Sequence, residues 1–373
     1  MKPIHIRLIV AISVLALLSL ACGRAVSTQV PPTNTAAPPT LTAIPSDTAP
    51  PPTATPVPPP TTPVPTVTPT ALTATPTPTA TAIPMATHEP TGSEVLWRVG
   101  GDGVFSILGG LDADGEHVYV ADAYQGILVF DFQGNARGVI SPGEVGYVVD
   151  VKIGPTGALY MADKAFHQVS MFTRDGELVG AFGGIGIGDG EFGPDSPRAL
   201  AAGPQGEVFV LDSNLNAEGR EVMRVQVFSA EGNFLRSFVI GPGYDEQAMD
   251  VGPDGTLFVV SQEGYVTEFA PDSGMLIQKL GLESLRGALP QAIGIDEAGN
   301  LNVTTQIPTA VAVLDPLGQF IEWIGGEGVR TDEGWPEGEF LFPFGVAVSP
   351  DGRYVFVGDT FESFAYVTAF ERP

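Results

Sequence analysis

Residues 345–359, GVAVSPDGRYVFVGD, contain the pattern that decides the fold: an apolar strand, a turn with glycine, a second apolar strand and a terminal polar residue, here Asp359. The pattern occurs six times along the chain, at intervals of 41 to 54 residues. A strand–turn–strand unit repeated at this period is typical of four-stranded β-propeller blades. The other copies are GGLDADGEHVYVAD (109–122), VVDVKIGPTGALYMAD (148–163), ALAAGPQGEVFVLD (199–212), AMDVGPDGTLFVVS (248–261) and AIGIDEAGNLNVTT (292–305).

Each copy continues with a third strand that ends on a large apolar residue: Phe130, Phe172, Phe228, Phe269, Leu314 and Phe370. In five copies a glycine turn and a fourth alternating strand follow, a pattern typical of hairpins. The sixth copy ends before a fourth strand, but SEVLWRVGG (93–101) precedes the first copy, with Val95, Trp97 and Val99 predicted on one face. We therefore predict an all-β, six-bladed propeller over residues 93–373, closed by this N-terminal strand in the last blade.

Two segments precede the propeller. Residues 1–21 combine a basic start with an apolar run that is too short for a membrane span and typical of an export signal. The run ends in SLAC, which resembles the bacterial lipobox and implies lipidation of Cys22. Residues 22–92 are dominated by Pro, Thr, Ala and Val, which favours a disordered, extended stalk. The expected location is the bacterial cell surface or periplasm, with membrane contact through the lipid anchor only.

The charge of the chain excludes several classes of protein. There are 17 Lys and Arg against 43 Asp and Glu, for a formal net charge of −26. All the acidic residues except Asp47 and Glu89 lie in the predicted propeller. Nucleic-acid binding is not expected, because phosphate contacts require a basic face. The single cysteine excludes an intrachain disulfide and a thiolate metal cluster.

Three segments carry a resemblance to a known family: GGDGVF, GIGDGEFGPDSPRALAAGPQGEVFVLD and EGEFLFPFGVAVSPDGRYVFVGDT. They resemble NHL repeats, and the similarity extends over Glu94 to Pro373 in all six copies. The pattern departs from the family in copies four and five, where Ser261 and Thr305 replace the strand-end aspartate. The resemblance implies a six-bladed propeller. It leaves function open, because NHL propellers include tethered extracellular sensors, ligase scaffolds, nucleic-acid regulators and a peptide-amidating lyase.

Repeated aspartates are the first candidates for a chemical role. A residue that recurs at one place in most blades usually closes a turn by accepting backbone N–H groups. We predict this structural role for the strand-end residues Asp122, Asp163, Asp212 and Asp359, and for the first-turn residues Asp114, Asp254 and Asp351. No cofactor is expected. Two acidic loops are weak candidates for calcium, although neither has the spacing of a dedicated calcium loop: Asp189, Glu191 and Asp195 in one, and Asp332, Glu333, Glu337 and Glu339 in the other.

Few residues in the sequence support an enzymatic function. The amidating-lyase relatives would imply several channel histidines that hold zinc, but the domain has only His117 and His167, expected at opposite ends of their blades. Gluconolactonase-like hydrolases, which are also six-bladed, use a Glu/Asn/Asp metal site in the channel. Asn214 and Asn302 are possible fragments of such a set, without a Glu partner. There is no nucleophile-elbow motif.

Variable connections should lie on one face of the propeller, which we call the loop face. It carries the loops between blades and the turns between second and third strands, whereas the opposite turn face carries short, uniform turns. Recognition tends to use variable loops on a rigid scaffold. We predict binding of an unknown protein, peptide or glycan; the alternatives are a metal-dependent hydrolase or lyase acting in the central channel, and a structural surface-layer component. The candidate binding residues are Tyr124, Tyr147, Phe166, His167, Arg198, Asn214, Tyr265, Trp335, Phe344 and Phe361.

Overall fold

The computed structural model describes residues 92–140, 145–215, 218–242, 246–261, 263–281, 288–331 and 334–373. The predicted export signal, the predicted lipidation site Cys22 and nearly all of the predicted stalk lie outside these ranges. The described ranges form 26 β-strands and no helix, and therefore contain no helical segment suited to crossing a bilayer.

Twenty-four strands form six four-stranded sheets, the blades. Blade 1 contains β2 (Leu108–Ala113), β3 (His117–Asp122), β4 (Gly126–Asp131) and β5 (Ala136–Ile140). Blade 2 contains β6 (Val148–Ile153), β7 (Leu159–Asp163), β8 (Gln168–Phe172) and β9 (Leu178–Gly183). Blade 3 contains β10 (Ala199–Ala202), β11 (Val208–Leu215), β12 (Glu221–Phe228) and β13 (Phe234–Pro242).

The remaining blades follow the same order. Blade 4 contains β14 (Glu246–Val251), β15 (Leu257–Ser261), β16 (Tyr265–Phe269) and β17 (Leu276–Gly281). Blade 5 contains β18 (Pro290–Ile295), β19 (Leu301–Gln306), β20 (Thr309–Leu314) and β21 (Phe320–Ile324). Blade 6 contains β24 (Pro343–Val348), β25 (Tyr354–Phe361), β26 (Phe364–Glu371) and β1 (Glu94–Asp102). A short parallel pair, β22 (Gly326–Glu327) and β23 (Glu339–Phe340), lies between blades 5 and 6.

The six blades form a closed ring. Each blade is an antiparallel meander, and its first strand is innermost. The innermost strands contact one another in the order β2, β6, β10, β14, β18 and β24, and β24 returns to β2. The apolar core is divided into six clusters, each between two adjacent blades. The predicted all-β, six-bladed propeller is therefore confirmed.

The closing strand has the predicted partner but a different side-chain arrangement. β1 pairs antiparallel with β26, and a register shift between Val95 and Trp97 marks a β-bulge. Trp97 and Val99 pack on the cluster between blades 6 and 1, whereas Val95 packs on the cluster between blades 5 and 6. The prediction that these three side chains share one face is wrong, because the extra residue of the bulge reverses the alternation of the strand.

Glycine turns connect the third and fourth strands of a blade and also pack against the neighbouring blade. Their φ angles lie between 64° and 84°, in the left-handed region: Gly134, Gly176, Gly232, Gly274 and Gly318. At Gly232 of blade 3, an added β-carbon would lie 2.5 Å from the ring of Phe182 in the outer strand of blade 2. Glycine is therefore required both by the backbone conformation and by the close contact between blades.

Candidate functional site

The axis of the propeller contains a cavity of about 230 Å³. Residues from all six innermost strands line it, together with residues of the loop face. Large functional cavities are commonly found where several elements of a fold converge, so this cavity is the candidate site. We describe it from the loop face inward.

The opening of the cavity on the loop face combines aromatic and cationic side chains. We call this set the cavity mouth: Tyr147, Lys164, Arg198 and Phe344. Lys164 Nζ lies 2.5 Å from Asp195 Oδ1, and Arg198 Nη1 lies 3.1 Å from Asp195 Oδ2. The two cations thus converge on one carboxylate, whose side chain is 47% exposed.

Four charged residues lie deeper along the channel; we call them the axial cluster: Asp112, Asp150, Lys152 and Asp250. Lys152 Nζ lies 3.5 Å from Asp250 Oδ1, and the two side chains are 6% and 16% exposed. Asp150 and Lys152 project from β6, Asp112 from β2 and Asp250 from β14. The cluster therefore joins blades 1, 2 and 4 across the axis.

The carboxylates of the axial cluster also connect consecutive blades through the backbone. The acceptor is Oδ2 in each case: Asp112 binds the N–H of Ile153 at 2.7 Å, Asp150 that of Leu200 at 2.7 Å, and Asp250 that of Ile295 at 2.9 Å. Each Oδ1 also accepts the N–H of the next residue along its own strand. Both oxygens of every carboxylate are thus held in place by the backbone.

Burial changes the protonation of the cluster. It raises the pKa of Asp112 to about 6 and that of Asp150 to about 7, and the positive charge of Lys152 partly offsets both increases. Burial by itself lowers the pKa of Lys152, but attraction to Asp250, Asp112 and Asp150 outweighs it and raises the pKa above its ordinary value. Lys152 is therefore an ammonium at neutral pH, while Asp150 takes up a proton at a much higher pH than an exposed aspartate does.

The strand-end aspartates have the predicted structural role. Asp163 accepts the backbone N–H groups of Gly146, Tyr147, Ala165 and Phe166 at 2.7 to 3.1 Å. The carboxylates of Asp122, Asp212 and Asp359 likewise accept hydrogen bonds from backbone N–H groups. The first-turn residues Asp114, Asp254 and Asp351 do the same. Asp122, Asp163 and the first-turn aspartates therefore close the turns that follow them, as predicted, whereas Asp212 and Asp359 hold the loop that precedes their blade.

The described acidic-loop residues make separate contacts. Glu191 accepts the N–H of Gly188 at 3.0 Å, Asp189 accepts the hydroxyl of Ser237 at 3.4 Å, and Asp195 binds the two cations of the cavity mouth. Asp332 and Glu333 lie outside the described residues. In the part of the chain that is described, no three His, Cys, Asp or Glu side chains are grouped as metal ligands.

The residues suggested for an enzymatic metal site are also used elsewhere. Asn214 donates to the carbonyl of Ile187 at 3.2 Å, and Asn302 donates to that of Gly294 at 3.3 Å. His117 lies beside the first turn of blade 1, whereas His167 lies on the loop face with Nδ1 3.0 Å from the carbonyl oxygen of Ser196. At the axis, the cation beside the carboxylates is Lys152. These side chains do not fit a Glu/Asn/Asp metal site.

The structure brings four of the ten predicted binding residues together. Tyr147, Arg198 and Phe344 belong to the cavity mouth, and Phe344 is 38% exposed. Tyr124 packs edge-on against Tyr147, with ring centroids 5.7 Å apart, and is 58% exposed. These four side chains form one aromatic and cationic surface beside the axis.

The other predicted binding residues are spread over the rest of the loop face. Phe166 is exposed, Tyr265 is half-buried with Lys279 Nζ 4.8 Å from its ring, and Phe361 is half-buried beside Arg330. Three are held within the face: His167 by its carbonyl contacts, Asn214 and Trp335 by burial.

Sequence reasoning missed the inward-facing residues. Lys152, Lys164 and Gln291 line the cavity but were not among the predicted residues. A signal for Lys152 was present, because VVDVKI places two charged residues in the middle of a strand expected to be innermost. Lys164 directly follows the strand-end Asp163, and that position also points toward the loop face.

Comparison with solved structures supports the architecture. Gluconolactonase XC5397 from Xanthomonas campestris matches with 14% identity and a TM-score of 0.52, over 73% of this chain and 89% of that one. A putative gluconolactonase matches with 14% identity and a TM-score of 0.52, over 75% and 93%. Virginiamycin B lyase from Staphylococcus aureus matches with 11% identity and a TM-score of 0.50, over 76% and 100%. At these identities the likeness is one of fold.

The fold and the comparisons together define the class of protein: a six-bladed β-propeller with structural neighbours of the gluconolactonase and virginiamycin B lyase type. No protein-family model and no curated protein matches the sequence.

Proposed function

We propose that the propeller is a binding or scaffold domain that recognises a protein, peptide or glycan at the cavity mouth. The observation that carries this proposal is the convergence of Tyr147, Phe344, Lys164 and Arg198 on one opening at the axis. Aromatic and arginine side chains are enriched among residues that dominate binding energy. The rigid ring holds them in place with little loss of side-chain freedom on binding.

The charges at the mouth indicate which ligand group would compete there. Lys164 and Arg198 bind opposite oxygens of the Asp195 carboxylate, so the two cations are spaced for an acid group. A ligand carboxylate or phosphate would have to displace Asp195, which is accessible to solvent. The adjacent rings of Tyr147 and Phe344 would pack on an apolar or sugar face of the same ligand.

Binding can be tested with the labelled full chain on glycan and peptide arrays and in capture from a bacterial envelope extract. We expect Tyr147→Ala combined with Phe344→Ala to lose at least about tenfold in affinity, since such anchors contribute 1–2 kcal/mol or more. Leu317→Ala is the matched control, because Leu317 is 71% exposed on the turn face. Unchanged array binding by the double variant would contradict the proposal.

We further propose that the chain is an exported NHL-type lipoprotein anchored through Cys22, with residues 22–92 as a stalk. The export signal, the lipobox-like SLAC and the Pro/Thr-rich composition support this arrangement. Cys22→Ser should release the protein from the membrane fraction and abolish incorporation of labelled palmitate. Labelling that persists in this variant would contradict the assignment of Cys22.

A hydrolase or lyase is the second candidate function. It is favoured by Asp150, a cavity-lining carboxyl whose pKa burial raises to about 7, a value suited to a general acid or base. Turnover of lactone or ester probes that is lost in Asp150→Asn, with the fold intact by circular dichroism, would favour this function over binding.

A further inference from the structure

The channel has a cation of its own at the axial carboxylates. Lys152 reaches from β6 across the channel to Asp250 on β14, and its buried ammonium has exchanged water for carboxylate neighbours. We infer that Lys152 is the resident cation of the propeller axis, and that this channel does not hold a divalent metal. The inference is independent of whether the cavity mouth binds a ligand.

Small residues in the other blades make room for Lys152. The strand pairing defines equivalent positions on the innermost strands of the blades. In blade 2 this position is Lys152, which pairs with Tyr160 of the second strand, and in blade 4 it is Asp250, which pairs with Phe258. Blade 3 lies between these two blades, and its residue at this position is Ala201, whose methyl group leaves the path open. Blades 5 and 6 carry Gly294 and Ala347 there.

The charge balance suits one monovalent cation. The charged groups that face Lys152 are Asp112 from blade 1, Asp150 from its own strand and Asp250 from blade 4. The sequences of β10, β18 and β24 contain no charged residue. Burial raises the pKa of Asp112 to about 6 and that of Asp150 to about 7, so protonation of these two carboxyls would leave one carboxylate opposite the ammonium.

The geometry disfavours a divalent ion at the same place. Ca²⁺ requires six to eight oxygen ligands, and Mg²⁺ requires a near-octahedral set. Each axial carboxylate already accepts two backbone N–H groups, which fix its orientation toward the neighbouring strand. A divalent ion would also have to lie next to the ammonium, which repels it. A hydrolase or lyase acting in this channel would therefore have to be metal-independent.

The test compares the full chain with its Lys152→Met variant. Both are equilibrated with Ca²⁺, Mn²⁺ or Zn²⁺, passed through a desalting column, and assayed for bound metal and for melting temperature at pH 5.5 and 8. We expect the variant to melt about 5–15 °C lower at pH 8, because a buried charge cluster has lost its counter-charge. The loss should be smaller at pH 5.5, where Asp112 and Asp150 take up protons, and metal should not restore it.

Lys279→Met is the matched control, because Lys279 is exposed on the outer strand of blade 4. The same substitution there removes only a surface contact with the ring of Tyr265 and should lower the melting temperature by less than about 4 °C. If Lys152→Met does not fold, Lys152→Met with Asp250→Asn should fold at neutral pH without metal. One divalent ion per wild-type chain that is lost in Asp150→Asn would overturn the inference. The inference would also be overturned if Ca²⁺ or Mn²⁺ raised the melting temperature of Lys152→Met at pH 8 by as much as a change to pH 5.5 does.

Discussion

Blades 2 and 3 are neighbours with the same four-stranded meander, yet their innermost strands differ. At matching positions, β6 carries Lys152 and β10 carries Ala201. The second strands are alike there, with the buried rings of Tyr160 and Phe209. The repeat thus maintains the contacts between blades, while departures from it at the axis determine the charge of the channel. The closed ring, the blade interface and the axial charges can each be tested by substitution.

The largest effect is expected from opening the ring. Deleting residues 93–101 removes β1, which pairs with β26 and contributes Trp97 and Val99 to the core. Loss of the packing of these two half-buried side chains and of the ring closure should lower the melting temperature by about 10 °C or more. Calorimetry measures this loss. Leu96→Ala, at an exposed position of the same strand, should change it little. A deletion variant as heat-resistant as the parent would refute closure by β1.

The contact between blades 2 and 3 should be the next most sensitive feature. Gly232→Ala places a methyl group against Phe182 at a φ of 82°, so strain and overpacking should together cost about 2–4 kcal/mol in the free energy of unfolding. Gly255→Ala is the matched control. It has a φ of 89° with nothing within 4 Å of the added carbon, and should show strain alone, about 1–2 kcal/mol. Equal losses in urea unfolding would show that the blade contact is unimportant.

A larger side chain at Ala201 of blade 3 should block the space through which the Lys152 side chain extends. Ala201→Leu should cost about 1–3 kcal/mol, because the larger side chain lies in the path of Lys152. The cost should shrink in a Lys152→Met background, which a double-mutant cycle measures. Ala136→Leu on the exposed outer strand of blade 1 should be nearly neutral. Strict additivity of the two substitutions would contradict the proposed path.

The axial carboxyls should give the stability of the protein a pH dependence of unusual sign. The pKa values of Asp112 and Asp150 are about 6 and about 7 in the native state, above the ordinary value, so the native state holds more protons than the unfolded state between pH 4 and 7. Their contribution to stability therefore falls as pH rises through this window. Urea unfolding at pH 5 and 7.5 measures this effect. The free energy of unfolding of the double variant Asp112→Asn with Asp150→Asn should change less between the two pH values than that of the wild type.

Asp131→Asn is the control for this pH effect. Hydrogen bonds from Asn135, offset in part by burial, lower the pKa of Asp131 to about 2, so its proton uptake on unfolding lies below pH 4. The variant should leave the change between pH 5 and 7.5 as in the wild type. An unaltered pH dependence in the double axial variant would show that the axial carboxyls titrate normally.

Most of the architecture was predictable because its signals are local. The six copies, the glycines of the hairpin turns and the strand-end aspartates are each recognisable from a short stretch of sequence, although some of their contacts lie farther away. Asp163 shows this, since its partners are the turn that follows it and the loop next to it. The bulge after Val95 was not predictable, because alternation in the sequence is the same with or without an extra residue.

The sequence by itself determined that the chain forms six β-blades and that an N-terminal strand completes the last one. The repeat period, the turn residues and the alternation of apolar residues are all patterns of residues that are close together in the chain. Only the tertiary structure decided that Lys152 of blade 2 meets Asp250 of blade 4, and that Tyr147, Lys164, Arg198 and Phe344 share one opening. Apart from Tyr147 and Lys164, which flank the first two strands of blade 2, these residues come from different blades. Closure of the ring brings them to a common axis, and no local pattern reports which side chains meet there.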